Sequence, residues 1–280
     1  MSPSSQLRMT LYRGFSHPGY VWSPFVTKLE TRLRLSNVSH RTESGSLSKA
    51  PRGKIPYISM SSSDSTGDVT MGDSTVIIEK LTDQGIVVDL NGKLSAREKA
   101  MDLALRALLE EKMYFYQVCN LASTSPFIFR RTNSHQGYEK WHDNFYTLRS
   151  HIMGQIPWPL QPLIGLLAYR TWMATFHGLG TSRYSPEELT AFKKNIWGQV
   201  DALLTESKQR KEHANRKEPF WLLGNEEPTE VDSVLFGFIA STLVCTATPE
   251  SAEILRGCPA LMDYAGRIHE KYFPDYDRWE

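Results

Sequence analysis

The sequence predicts a compact α/β domain over residues 1–92 and an all-α domain over residues 93–280. Two observations support this division. Up to about residue 90, short apolar runs typical of strands alternate with amphipathic segments, in the order β-α-β, β-hairpin, helix. From Ser95 onward, long helical segments follow without further strong strand signals.

The first strand and helix predict a site that favours an anion or a thiolate. The apolar run Met9–Tyr12 is typical of a buried strand, and a turn rich in Gly, Pro and Ser follows it. Ser23 is a suitable N-cap and Pro24 a suitable first residue for the helix that extends to Leu35. A helix N-terminus presents unpaired N–H groups and the positive end of a dipole, and Ser23 stands at that point.

A further strand and a further helix complete the predicted α/β domain. The strand pattern over residues 53–60 contains Pro56, which belongs at an edge or a bend, and Ile55-Pro56 is a candidate for a cis peptide bond. After a polar loop, Asp73 or Ser74 is expected to cap the next helix.

Helix-start signals divide the second domain. Ser95 and Glu98 have capping-box spacing ahead of a helix predicted to Val118, whose apolar stripe includes Leu103, Ala107, Leu108 and Tyr114. Further helices are predicted to start at Ser185-Pro186, at the Thr229–Asp232 box and at Pro259.

Composition excludes several functional classes. A net charge of +1 provides no electrostatic case for nucleic acid. The three cysteines, Cys119, Cys245 and Cys258, are too scattered for a disulfide framework or a metal site, and they indicate a reducing compartment. No apolar run is long enough to span a bilayer and no signal-peptide core is present, so a cytoplasmic protein without a transmembrane segment is expected.

Six blocks, in order, carry a family resemblance. They are SPFVTKLETRLRL, APRGKIPYI, GDSTVIIEKL, GLGTSRYSPEEL, PFWLLGNEEPTEVDSVLFGFIA and CPALMDYAGRIHEKYFPDY. Together they cover nearly the whole chain and resemble the glutathione transferase superfamily, in its failed-axon-connections branch, which is related to metaxins. The resemblance implies a thioredoxin-like N-terminal domain followed by an all-helical one, the glutathione-transferase fold.

The same resemblance implies a glutathione site. Ser23 would contact the glutathione sulfur, and Pro56 would be cis. The backbone of Ile55 would pair with the peptide backbone of glutathione, while Asp73 and Ser74 would bind its γ-glutamyl end. The resemblance also implies a structural role for the Thr229–Asp232 box.

Departures from the family pattern limit the reactions that the predicted glutathione site could carry out. Residues 1–92 contain no cysteine, which excludes a mixed-disulfide thiol transferase for want of a nucleophile. Ser23 could instead donate a hydrogen bond to a glutathione thiolate, and the phenol of Tyr20 or Tyr12 could do the same. The bulky residues Tyr20 and Trp22 either alter the glutathione cleft or form the wall of an apolar second-substrate site.

Other residues are candidates for the substrate site. His177 could act as a general base or be an ordinary histidine in a turn, and Arg13 could meet a carboxylate in the cleft or form a surface ion pair. The predicted lining residues are Phe15, Trp22, Tyr114, Tyr116 and His177.

The leading hypothesis is a glutathione-transferase-like enzyme for a small hydrophobic substrate, with glutathione as co-substrate or cofactor. The reaction would be conjugation, or glutathione-assisted isomerisation or elimination. One alternative is a cofactor-independent isomerase or cyclase of a natural-product pathway, and another is a non-catalytic, metaxin-like interaction module. The fold commonly forms homodimers, and the sequence leaves this open here.

Overall fold

The computed structural model describes residues 8–14, 18–61, 68–123, 170–171, 174–211 and 218–279. The strands are β1 (Arg8–Tyr12), β2 (Arg41–Glu43), β3 (Tyr57–Ser61) and β4 (Val69–Gly72). The helices are α1 (Pro24–Leu35), α2 (Ser74–Asp83), α3 (Ala96–Ala107), α4 (Tyr114–Ser123), α5 (Pro186–Lys211), α6 (Glu230–Val244), α7 (Pro249–Arg256) and α8 (Pro259–Tyr272). A π-helical turn, Leu108–Met113, joins α3 to α4.

The strands form one mixed sheet in the order β2-β1-β3-β4. β1 runs parallel to β2 and antiparallel to β3, and β3 runs antiparallel to β4. The parallel pair is joined by α1 and the antiparallel pair β3–β4 is consecutive in the chain, so the predicted β-α-β and hairpin order is confirmed. This is the N-terminal architecture of the glutathione-transferase fold, and the helical segments after it complete that fold.

The core of the first domain lies between the sheet and helices α1 and α2. Leu11 and Ile58 from the sheet, Leu29 and Leu33 from α1, and Ile77 from α2 are all fully buried. A buried aliphatic side chain of this size contributes roughly 1.5–3 kcal/mol. Packing against the sheet therefore fixes α1, which begins directly after Ser23.

The predicted apolar stripe of the helix after Ser95 is wrong in its register. The capping box of Ser95 and Glu98 is confirmed, because each residue's side chain accepts a hydrogen bond from the other's backbone N–H. Leu103, however, is 60% exposed, whereas Asp102 is fully buried. The Asp102 carboxylate accepts hydrogen bonds from Val231 N at 2.8 Å and Arg106 Nε at 2.7 Å, and this polar contact decides which face is inward.

The chain divides into two compact units. The first comprises Met1–Arg106, Asp201–Val244 and Pro259–Glu280, and the second comprises Ala107–Val200 and Cys245–Cys258. Helices α6 and α8 belong to the unit that contains the sheet, and the predicted domain boundary after residue 92 stays a prediction.

Helix α6 forms the centre of the first unit and packs against α1. Its residues are buried from Val231 to Leu243, as expected for a helix that is apolar on all sides. A Cβ added at Gly237 would lie 2.5 Å from the Pro24 carbonyl oxygen and 2.9 Å from Lys28 N. Glycine at this position therefore lets α6 approach the first turn of α1.

The predicted box at the start of α6 is confirmed. The Asp232 carboxylate accepts hydrogen bonds from Thr229 N and Leu222 N, both at 2.8 Å, and from the Tyr264 hydroxyl at 3.0 Å. Burial raises the pKa of Asp232 to about 6. These bonds tie the helix start to the preceding segment and to α8.

The second unit contains a small aromatic core. Phe176 and Leu189 are buried in it, and Phe115 and Tyr116 pack against them. The predicted helix start at Ser185 is confirmed, since Ser185 N donates to Glu188 Oε2 at 2.7 Å. In the parts of the chain that the structure describes, no helix is long and apolar enough to cross a membrane.

Candidate functional site

Ser23 occupies the N-cap position of α1, but its hydroxyl does not cap the helix. Its backbone is extended (φ −83°, ψ 114°), and its carbonyl oxygen accepts the first helical hydrogen bonds, from Val26 N at 3.2 Å and Thr27 N at 3.4 Å. No side-chain cap bond forms, which corrects the expectation from sequence. Within the described residues the hydroxyl is therefore uncommitted, at the positive end of the helix.

The Ile55-Pro56 peptide bond is cis, as predicted. Gly14, two residues after β1, has φ +82°, and a Cβ there would lie 3.3 Å from two side-chain carbons of Ile55. Glycine permits both this backbone conformation and the close approach. The bend before β3 is therefore adjacent to the start of the β1–α1 loop, which leads to Ser23.

Asp73 provides the cap of α2. Its carboxylate oxygen Oδ1 accepts hydrogen bonds from Thr75 N at 3.1 Å and Val76 N at 3.4 Å. The residue has φ +77°, a left-handed conformation that costs a residue with a side chain roughly 1–3 kcal/mol. Strained positions of this kind cluster at binding sites. Ser74, the first residue of α2, is 5% exposed.

A cavity of about 210 Å³ has Lys28 of α1 and Thr75 of α2 among its lining residues. Lys28 Nζ donates to Thr75 Oγ1 at 2.9 Å. Arg106 and Glu230 also line it, and burial raises the pKa of Glu230. The remaining lining residues are Ile78, Glu79, Thr82, Asp83 and Asp89. The cavity therefore offers groups of both charges.

Tyr20 lies in an aromatic cluster and not in an open cleft. The residue is 4% exposed, and its hydroxyl forms a hydrogen bond of 2.9 Å with His269 Nδ1. Burial raises the pKa of Tyr20, so the phenol stays protonated. Because the Tyr20 hydroxyl is already bonded to His269, this placement does not support Tyr20 as the thiol partner, and the role of Ser23 stays a prediction.

Arg13 takes neither of the two positions expected for it. The side chain is 3% exposed and donates from Nη2 to the carbonyl oxygen of Gly19. Its guanidinium carbon lies 5.5 Å from the centre of the Tyr276 ring. It therefore contacts the backbone of the β1–α1 loop, a role that no local pattern in the sequence indicates.

The other predicted lining residues belong partly to the first unit and partly to the second. Trp22 is half-buried in the loop before Ser23, and Phe15 lies outside the described residues. Tyr114 and Tyr116 are half-buried in the second unit, where Tyr116 stacks on Phe192 with 5.5 Å between ring centres. His177 is exposed. Their role in lining a substrate site remains a prediction.

Metal ligation receives no support from the described part of the chain, where no three His, Cys, Asp or Glu side chains are grouped to hold an ion. The candidate site consists of Ser23, the cis bend at Ile55-Pro56, and Asp73-Ser74 at the start of α2.

Family models match both parts of the chain. The model described as glutathione S-transferase N-terminal domain matches residues 24–126, and the model described as glutathione S-transferase, C-terminal domain, matches residues 217–268. The two matches occur in the domain order of the fold described above.

Relatives and a solved structure agree with these matches. The chain is 24% identical over 274 residues to Failed axon connections of Drosophila melanogaster, covering 91% of this chain but 55% of that protein. It is 27% identical over 255 residues to isoprene-epoxide–glutathione S-transferase of Rhodococcus sp. (strain AD45), covering 89% of this chain and 92% of the relative. The chain thus spans about half the length of the first relative.

The fold is also that of a glutathione transferase family member from Pseudomonas fluorescens pf-5, which was crystallised with two glutathione molecules. That structure superposes with a TM-score of 0.51 at 15% identity, covering 94% of this chain and 88% of the other. The architecture, the two domain matches and the relatives agree, so the chain belongs to the glutathione transferase superfamily, on the branch represented by Failed axon connections.

Proposed function

We propose that the protein is a glutathione-transferase-like enzyme that binds glutathione and presents its thiolate to a small hydrophobic electrophile. The observation that supports this best is the hydroxyl of Ser23, which lies at the N-terminus of α1 and is not used to cap the helix. A hydroxyl held there can donate a hydrogen bond to a negatively charged sulfur. The positive end of the helix dipole favours the same charge.

Glutathione, when bound, supplies the nucleophilic sulfur, and the chain holds and activates it. Ser23 donates to the thiolate, and this donation together with the start of α1 lowers the pKa of the thiol. The backbone of Ile55 pairs with the peptide of glutathione. The Asp73 carboxylate uses Oδ1 for its cap, and Oδ2, which lies 4.0 Å from the exposed ammonium group of Lys54, receives the γ-glutamyl ammonium group. The hydroxyl and the backbone N–H of Ser74 receive the carboxylate, since the N–H groups of Thr75 and Val76 donate to Asp73.

The absence of cysteine from residues 1–92 restricts the reaction. Without a protein thiol the site cannot form a mixed disulfide with glutathione, so Ser23 acts on the bound thiol by hydrogen bonding. In conjugation, a bond forms between sulfur and an electrophilic carbon, while the bond from that carbon to a leaving group or an epoxide oxygen breaks. The Rhodococcus relative, named for an epoxide substrate, supports epoxides as the first electrophiles to test.

Calorimetry with glutathione and a rate assay test the proposal. The assay follows thioether formation with a small apolar epoxide and with an activated aryl halide. Ser23→Ala is expected to retain binding of glutathione and to lose roughly 10²-fold in rate, because one donor to the reacting charge is removed. Ser59→Ala makes the same chemical change on β3 and should behave as wild type. The absence of binding by the wild-type chain at millimolar glutathione would overturn the proposal.

A further inference from the structure

The segment that follows α8, Phe273–Trp279, packs against the β1–α1 loop and α1, all within the first unit. Its contact with the loop is mainly aromatic. Tyr20 lies with its ring centre 5.1–5.4 Å from the rings of Phe273, Tyr276 and Trp279. Each such pair contributes about 0.5–1.5 kcal/mol beyond the area that it buries. The loop residue is therefore enclosed by the C-terminal segment.

A buried carboxylate fixes this segment to α1. Glu30 is 1% exposed and accepts hydrogen bonds from the Tyr276 hydroxyl at 2.5 Å and from Arg34 Nη2 at 3.0 Å. Burial alone would raise the pKa of Glu30, but the hydrogen bond from His40 and the charge of Arg13 lower it below its ordinary value. Glu30 is therefore ionised, and the Tyr276 hydroxyl donates to a charge.

Arg34 fixes the same segment at its beginning. It donates from Nη1 to the carbonyl oxygen of Tyr272 at 2.8 Å and from Nη2 to Asp275 Oδ2 at 2.9 Å. Its guanidinium carbon lies 4.2 Å from the centre of the Phe273 ring. Residues 272–276 are thus held by hydrogen bonds and a cation–π contact to a single side chain of α1.

One contact connects the anchored segment to the loop before Ser23, and a second connects α8 to the same loop. Arg13 lies over the Tyr276 ring and donates to the carbonyl oxygen of Gly19. Tyr20, the next residue, bonds His269 of α8 through its hydroxyl. The loop backbone is therefore fixed at consecutive residues, three to four positions before Ser23.

We propose that Phe273–Trp279 is a brace that holds residues 18–22 in place and thereby sets the position of the Ser23 hydroxyl. Arg13, Tyr20 and Tyr276 are positioning residues, since they act on Ser23 through the loop. The effect on chemistry rests on the proposed function, whereas the effect on the loop does not. Misplacement of a reacting group by about 1 Å can cost on the order of 10²-fold in rate.

Tyr276→Phe tests the brace in the full-length chain. The substitution keeps the ring under Arg13 and removes only the hydroxyl that donates to Glu30. Tyr272→Phe is the matched control, because it removes a hydroxyl just before the brace and leaves the carbonyl that Arg34 binds. Hydrogen exchange of the peptide containing residues 18–23 should become at least several-fold faster in Tyr276→Phe and stay unchanged in Tyr272→Phe.

Kinetics with glutathione and the epoxide provide the second measurement. In Tyr276→Phe we expect kcat to fall about tenfold, with the KM for glutathione changed by less than threefold and the acid limb of the pH–rate profile moved to higher pH. A purely structural role would lower the folded fraction without moving that limb. Tyr20→Phe, which retains all ring contacts and loses only the bond to His269, should show the same pattern.

The two readouts separate the two proposals. If exchange of the 18–23 peptide is the same in wild type, Tyr276→Phe and Tyr20→Phe, the brace is refuted. The brace is also refuted as a positioning element if exchange accelerates while the pH–rate profile stays in place. If wild type fails to bind glutathione, the proposed function is lost, but hydrogen exchange of the loop still decides whether the brace holds it.

Discussion

Gly237→Ala should destabilise the protein even though alanine is the better helix former. Gly237 lies inside α6, where alanine is favoured over glycine by about 1 kcal/mol in an isolated helix. The added Cβ would lie 2.5 Å from the Pro24 carbonyl oxygen, and ordinary contact requires about 3.4 Å, so α1 and α6 would have to separate by roughly 0.9 Å. The three atoms nearest to this Cβ are backbone atoms of α1, which cannot rotate away.

The separation has a cost in packing that exceeds the gain in helix propensity. Overpacking a well-filled core typically costs about 1–3 kcal/mol, and here it affects Leu29 and Leu33, which α1 buries against the sheet. We therefore expect a net loss of about 1–3 kcal/mol in the free energy of unfolding. Because Pro24 follows Ser23 directly, the rate of thioether formation should also fall in molecules that remain folded.

Urea denaturation of Gly237→Ala and Gly198→Ala measures the effect against a matched change. Gly198 lies inside α5, and a Cβ there would meet nothing within 4 Å. This control should gain about 0.5–1 kcal/mol, since only helix propensity acts on it. If Gly237→Ala is as stable as wild type, the close approach of α6 to α1 is not what requires glycine, and the reasoning fails.

Two further substitutions test the buried charges. Glu30→Gln should cost about 1–3 kcal/mol at neutral pH, because the hydrogen bonds that Tyr276 and Arg34 donate to a buried carboxylate would go to a neutral amide, while Asp275 still pairs with Arg34. The lowered pKa of Glu30 contributes stability that is present above about pH 4.5 and is lost as pH falls below it. The free energy of unfolding, measured by urea denaturation, should therefore depend less on acid pH in the variant. An unchanged acid dependence would contradict the lowered pKa of Glu30. Lys193→Met should stabilise the protein by about 1 kcal/mol, because Lys193 is fully buried and its one hydrogen-bond partner among the described residues is Ser251 Oγ, at 3.2 Å. Burial lowers the pKa of Lys193, so wild-type stability should rise as pH increases towards 10.5, and this rise should be absent from Lys193→Met. A loss of stability in the variant would show that the surrounding groups offset the cost of burying the ammonium group.

Local chemistry made much of the fold predictable. The strand over residues 8–12, the helix start at Pro24 and the cis bond at Pro56 depend on residues that are neighbours in the chain. The capping box at Ser95 likewise involves a partner three residues away. Alternation, helical periodicity and the steric properties of proline act over such distances, so they can be read before the chain is folded.

Burial of polar groups was much less predictable. Asp102 displaces the expected stripe of α3 because its carboxylate meets Val231 N of α6, which lies 129 positions further along the chain. Arg13 was expected in a cleft or on the surface and is found under the loop instead. An Asp or Arg has no apolar periodicity, so nothing near it in the sequence indicates whether a partner will come from a distant helix.

The sequence by itself determined the order of elements, the turn residues around the candidate site, and the absence of a cysteine nucleophile from residues 1–92. Only the tertiary structure shows how the surroundings of Ser23 and Tyr20 differ. The Tyr20 hydroxyl meets His269, 249 positions away, while the Ser23 hydroxyl is left out of the helix cap. The physical reason is that a hydroxyl can act on a ligand only if no other group in the folded protein already bonds it. Such a competing group can come from anywhere in the chain.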